Sequence, residues 1–303
     1  LGSTAVASTA AELNLLDGLA AANLAVTGKL EGTNFTDSLL VGHATTGTLN
    51  GAQRNVGVGV TSLDAITSGD DNTAIGYDSG TYISSGYQNT AIGKGALGAQ
   101  LSTGQNNTAL GYNALNAVTG NRNTALGRNS GFNISSGDGN VMIGHVDADS
   151  ATGDRQLKIA GYDGTTRTTW ISGDSSGNLT FKRVDTGDDN PYVLTLQTGE
   201  TDIASADILG SINFQAPDEG AGTDAILVAA GIEAVSEGDF SSSNNATKLS
   251  FKTAASEAAA EKMSLSSAGV LTVSGAITSS GIVTGTGFTA GSAVLAESEL
   301  ELL

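Results

Sequence analysis

Cysteine is absent, proline occurs twice, and aromatic residues make up 5% of the 303 positions. No cysteine means no disulfide, no thiolate metal site and no cysteine nucleophile, so stability has to come from backbone pairing and oligomerisation. Few large side chains mean little to fill a wide core, and ring platforms of the kind that line sugar-cleaving grooves are scarce, Trp170 being the single tryptophan. Charged residues are 15% of the chain and only 13 of them are basic against 31 acidic, for a net charge of −18. A surface of that sign repels phosphate backbones and anionic headgroups, which disfavours nucleic acid and membrane surfaces as partners, and no nucleic acid is expected to bind. Apolar runs fall short of the roughly 20 residues of a spanning helix, so membrane insertion is not expected. The start lacks both an initiator Met and a signal peptide, and Glu297–Leu303 echoes Ala10–Leu16; the chain therefore reads as a piece of something longer.

Glycine is what the chain has in quantity, 42 residues of it, and it recurs in register. Asn72-Thr73-Ala74-Ile75-Gly76 returns as Asn89-Thr90-Ala91-Ile92-Gly93, Asn107-Thr108-Ala109-Leu110-Gly111 and Asn123-Thr124-Ala125-Leu126-Gly127. Looser copies begin at Ser38, Asn55 and Asn140, the last ending in Ile143-Gly144, and the intervals are 17, 17, 17, 18, 16 and 17 residues. A second apolar position keeps step at Leu49, Ile66, Ile83, Leu101, Val118 and Ile134, followed by a small-residue turn such as Ser84-Ser85-Gly86. Such a period predicts one solenoid coil made of two short strands and two turns, stable only when stacked on its neighbours. Alternation along the strand puts Thr73 and Ile75 on one face and Asn72, Ala74 and Gly76 on the other. The expected arrangement has Ile75, Ile92, Leu110, Leu126 and Ile143 as an inner column and Asn72, Asn89, Asn107, Asn123 and Asn140 as a stacked amide ladder. Ala74 and Gly76 are read as small enough for a neighbouring subunit to approach.

These Asn-Thr-Ala-Ile/Leu-Gly strings resemble the head repeats of trimeric autotransporter adhesins, and the 17-residue variant with Ser-Ser-Gly or Thr-Gly before the next Asn resembles bacteriophage tail-fibre proteins. The resemblance implies a left-handed parallel β-roll and a homotrimer. It also implies a virion location, other tail proteins as partners and a host-surface glycan or protein receptor as the target. The resulting expectation is an all-β, elongated homotrimeric fibre: residues 1–37 a short helix and stalk, 38–149 the β-roll, 150–190 a neck or cap and linker, 191–274 a β-rich module, and 275–303 a thin C-terminal shaft with a short helix. The neck rests on three strand-like stretches, Gln156–Ala160, Thr168–Ile171 and Gly177–Phe181. The module rests on alternation in Tyr192–Leu196, Ile208–Phe214, Lys248–Thr253 and Lys262–Leu265, with Ala225–Ile232 as a central strand and Gly269–Val273 closing it. Capping-box spacing at Thr9–Glu12 starts the first helix and Asp17-Gly18 stops it, so that Leu13, Leu16, Leu300 and Leu303 would face a trimer axis.

Candidate chemistry is sparse. His43 and His145 could each supply three imidazoles to a trimer axis and hold a metal, the alternative being exposed turn residues. Asp70-Asp71, Asp147 with Asp149, and Asp188-Asp189 could gather calcium, yet none has the spacing of a dedicated loop, and solvated turns are the better reading. Serines lack a Gly-x-Ser-x-Gly elbow, and strings such as Gly57-Val58-Gly59 precede no helix. Tyr77, Tyr87 and Tyr112 fit surface packing between coils better than receptor contact. The sequence thus points to a non-enzymatic attachment or spacer protein without cofactor. A bacterial extracellular adhesin or surface-filament subunit is the alternative, and a glycan depolymerase tailspike the second.

Overall fold

The computed structural model describes residues 28–29, 32–43, 45–99, 103–183, 187, 189, 191–215, 227–281, 287–290 and 293–296. The helices expected at 9–18 and across the final residues lie outside them, as do Leu101, Asp188 and the start of the apolar run at Ala225. Every regular element described is a strand. They fall in two compact units, one reaching Tyr192 and the other beginning at Val193.

The first unit is a solenoid. Three-residue strands β3 (Leu39–Val41), β5 (Val56–Val58), β6 (Thr73–Ile75), β7 (Thr90–Ile92), β8 (Thr108–Leu110), β9 (Thr124–Leu126) and β10 (Val141–Ile143) pair in parallel, each with the next, in the register of the sequence repeat. The first half of β11 (Leu157–Tyr162) adds an eighth rung, Val141 opposite Leu157. The ladder then turns antiparallel: β12 (Arg167–Gly173) returns along β11 and β13 (Leu179–Phe181) along β12. At the other end β1 (Gly28–Lys29) runs antiparallel to β3, while β2 (Phe35–Thr36) and β4 (Ala52–Gln53) form a separate parallel pair. All three stretches expected in the neck are strands. Trp170 sits where the β11–β12 register slips, its ring laid across the Cα of Gly161.

Two expectations about the coil are overturned. The second apolar position does not lie in a second strand. Ile66, Ile83, Val118 and Ile134 are buried within turns. Those turns stack by hydrogen bonds of their own, such as Leu63 N–H to Ser79 C=O (3.1 Å) and Leu115 N–H to Ser130 C=O (3.0 Å). The strand faces are grouped as expected, but their direction is reversed. Ala74, Ala91, Ala109, Ala125 and Met142 are fully buried, whereas Ile75 is 41% and Leu110 47% exposed, and Ile92, Leu126 and Ile143 are only partly covered. The coil is narrow, and Leu63, Leu97 and Leu115 reach into it from the turns together with the Ile/Val column. A methyl is what fits at the middle of the strand. Where the chain has Gly57 at that place, Leu40 from the previous coil fills the gap.

The repeat glycines face the next coil of the same chain rather than another subunit. At Gly111 φ is +140°, and a Cβ there would stand 2.6 Å from the carbonyl carbon of Gly127; Gly76 meets Gly93 in the same way. Only glycine allows that backbone-to-backbone approach. A further column, invisible in the repeat pattern, is the residue just before each ladder asparagine. Arg54, Asp71, Gln88, Asn106 and Arg122 all have φ between 54° and 59°. Left-handed geometry costs a non-glycine residue roughly 1–2 kcal/mol, and each coil offsets it with the bonds this turn makes possible.

The second unit is a five-stranded antiparallel meander, β14 (Ile208–Gln215), β15 (Val228–Ser236), β16 (Thr247–Thr253), β17 (Ala260–Leu265) and β18 (Leu271–Val273), in sequence order. All the strands expected there are present save Tyr192–Leu196, which has no ladder partner among the described residues and is largely exposed. Register sorts the side chains sharply. Ile212, Ile232, Phe251, Met263 and Val273 lie in one cross-strand row, and Ala234, Leu249, Leu265 and Leu271 in another on the same face. The opposite face carries the row Ser211, Glu233, Ser250, Ser264 and Thr272, with Glu233 paired to Lys252 (2.8 Å). In the stretch expected to be thin shaft, β19 (Gly287–Ala290) pairs antiparallel with β20 (Ala293–Ala296).

Candidate functional site

The solenoid's most ordered chemistry is its amide ladder. Asn55, Asn72, Asn89, Asn107, Asn123 and Asn140 are essentially inaccessible to solvent. In each rung the Oδ1 accepts two bonds from the following asparagine: Asn55 takes the backbone N–H and the Nδ2 of Asn72, both at 3.0 Å. The Nδ2 also donates to the carbonyl of the glycine three residues before the next rung, as from Asn72 to Gly86 (2.9 Å) and from Asn107 to Gly120 (3.0 Å). That satisfies a buried amide completely, which buried polar groups require. Ser38 opens the ladder by accepting the Asn55 N–H on Oγ (2.8 Å). Gln156 closes it: its N–H and Nε2 donate to Asn140 Oδ1, and the remaining amide capacity is used on Ser150 and Gly153 of its own loop. The sequence reading placed Gln156 at the head of a strand and missed this role; its spacing of 16 residues from Asn140 carried the signal.

A second column runs along the residue after each repeat glycine: Tyr77, Lys94, Tyr112, Arg128 and His145. The Lys94 ammonium lies 5.4 Å from the Tyr77 ring and 5.9 Å from that of Tyr112, and the Arg128 guanidinium 5.9 Å from Tyr112. Cations alternate with rings, so each charge meets a π face instead of another charge. Packing between coils, as expected for Tyr77 and Tyr112, is what the structure has.

His145 stands edge-on to Tyr162 with ring centroids 4.6 Å apart, and its Nε2 is 3.5 Å from the Asn129 amide. Burial, reinforced by Arg167 and Arg128, holds its pKa below the usual imidazole value. His43 is no exposed turn residue either: Nε2 meets the Ser62 carbonyl at 2.6 Å and Nδ1 the Thr45 hydroxyl at 3.0 Å. Among the described residues no three His, Cys, Asp or Glu side chains converge on one point. The acidic pairs serve locally. Asp70 accepts the Gln53 N–H, Asp71 grips Arg54 by both oxygens, Asp147 pairs with Arg167 and Asp149 with Lys158. The Arg54 bond holds the Asp71 carboxyl below the ordinary range.

Concavities also open among the described residues. One of about 310 Å³ in the second unit is lined by Leu196, Thr198, Ile203, Leu209 and Phe240. Another, about 290 Å³, opens on the solenoid between Arg122, Asp138, Gly139, Asp154 and Arg155. No helix among the described residues is long and apolar enough to cross a membrane. Comparison with protein-family models, curated proteins and solved structures found no match for this chain.

Proposed function

We propose that this chain is a non-enzymatic structural protein of the phage tail-fibre class, a homotrimeric fibre segment that attaches to a host surface or holds a receptor-binding tip toward it. The observation that carries this reading is the uncovered apolar stripe on the solenoid's strand face. Val58, Ile75, Ile92, Leu110, Leu126 and Ile143 follow one another coil by coil, with Val58 38%, Ile75 41% and Leu110 47% exposed. A water-facing sheet would carry polar residues there. A continuous strip without charge fits a second surface of the same kind, and the strip of another copy supplies it with matching period and length. The meander's apolar face, where Ile212 is 45% and Leu271 59% exposed, makes the same demand in the second unit. Left-handed coiling, three copies around an axis and a slender stalk follow from the resemblance of the Asn-Thr-Ala-Ile/Leu-Gly strings. Three identical surfaces on one rigid axis would then bind by avidity, without a deep pocket.

Native mass spectrometry of the purified chain tests the assembly. A species near three times 30.1 kDa is expected, and Ile75→Asp with Leu110→Asp, both on the outer face and harmless to the coil interior, should yield monomers that keep their β-sheet circular dichroism. A wild-type monomer would overturn the reading. Loss of cell adsorption by the monomeric variant would support the attachment role.

A further inference from the structure

We propose that the solenoid binds the carboxylate of an acidic sugar between Arg122 and Arg155, over Gly139. The proposal deepens the attachment reading by naming what the surface would hold. Its warrant is a comparison within the repeat. Arg54 occupies the left-handed turn position before a ladder asparagine, and the residue one coil on at that position, Asp71, grips its guanidinium through both oxygens, one bond at 2.9 Å. Arg122 occupies the same position with the same φ of 57° against 54°. One coil on from Arg122 stands Gly139, and one coil beyond that stands Arg155. The side chain that would answer either arginine is missing, and neither guanidinium has a hydrogen bond or ion pair among the described residues.

The gap is sized for an outside carboxylate. Two coils separate the arginines by about 9–10 Å along the stack, which leaves room for one carboxylate between two guanidinium forks. The concavity of about 290 Å³ formed there is at the small end for ligand sites, suited to a single sugar ring. Its floor supplies hydroxyl acceptors. Asp138 Oδ1 is occupied by the Asn121 N–H (2.6 Å), and Asp154 Oδ1 by the Asp138 N–H (2.8 Å), which fixes both carboxylates; both residues line the cavity, and their second oxygens have no hydrogen bond among the described residues. Two cations for the acid group and two fixed acceptors for hydroxyls describe a uronic-acid type of ligand better than a free inorganic anion, which brings the charge without the ring hydroxyls that the aspartates could accept from.

The test uses the full chain and a hexasaccharide of alternating glucuronic acid and N-acetylglucosamine, titrated calorimetrically beside its carboxyl-reduced counterpart and inorganic phosphate. Millimolar binding of the acidic oligosaccharide alone is expected, weakened roughly tenfold or more by Arg122→Ala or by Arg155→Ala. Gly139→Asp gives the sharper readout. A Cβ at Gly139 meets only Arg155 Cγ at 3.6 Å, and Asp71 shows that aspartate accepts this left-handed turn, so the variant should fold, with a melting temperature lowered by a few degrees at most, while its own carboxylate displaces the ligand. No binding, binding equal for the reduced sugar, phosphate binding alone, or binding untouched by these variants would each overturn the site. A trimer that adsorbs to cells yet ignores the oligosaccharide would remove the site and leave the attachment reading standing.

Discussion

A buried amide with all its hydrogen-bonding capacity used is a liability the moment one partner goes. Asn89 accepts from both the backbone and side chain of Asn107, and donates to Asn72 and Gly104. Asn89→Ala strands these groups in a site closed to water, with a cost of about 3 kcal/mol or more, read as a lowered urea midpoint. Asn89→Asp should be at least as harmful, since a carboxylate cannot donate to the Asn72 oxygen or the Gly104 carbonyl and would be buried facing both. The ladder itself was legible in the sequence, because Asn returned at every period and amides stack at strand spacing. The direction of Ala74 and Ile75 was not. Alternation says which residues share a face, and only the width of the coil, set by Leu97 and Leu115 reaching in from the turns, decides which face is inside.

Coils are interchangeable at the level of the element because each meets its neighbours through the same bonds: a strand ladder, an amide rung and a glycine close approach. Deleting residues 73–89 joins Asn72 to Thr90 and removes one whole period. The shortened chain is expected to fold, with a β circular dichroism spectrum like the parent's, since Asn72 can then hold Asn107 as it held Asn89. Removing half that length would turn strands into turns and should leave aggregates in gel filtration. The strands of the neck and of the meander were readable from alternation. Tyr192–Leu196 has the same alternation, and Leu196 lies against Gly210 on the open edge of β14, yet it pairs with no strand among the described residues; pattern alone does not supply a ladder. The turn column from Arg54 to Arg155 was also hidden, since its residues share a backbone angle and no side-chain type. That is why the arginine pair around Gly139 could not be seen as a site.

For the molecule as a whole, acid is the informative stress. His145 has a folded pKa below its unfolded one, so above pH about 6.5 it is neutral in both states. As pH falls below that value the unfolded chain takes up a proton the folded chain resists, and stability drops until the folded pKa is reached. Asp71, held low by Arg54, and Asp163 and Asp174, held low by turn hydrogen bonds, contribute stability above about pH 4 that is lost on further acidification. Melting temperatures from pH 8 to 3 should therefore fall in two stages, and His145→Gln should flatten the upper one relative to the parent.

Gln156, finally, acts as a full stop. A ladder ending in asparagine would present an acceptor and a row of open backbone groups, an invitation for a stray molecule to polymerise onto the tip. The longer amide folds home onto Ser150 and Gly153 instead, and β12 seals the strand beside it. Coils can therefore be duplicated or dropped upstream, as one adds beads behind a knot, while the amide ladder keeps the same closed finish.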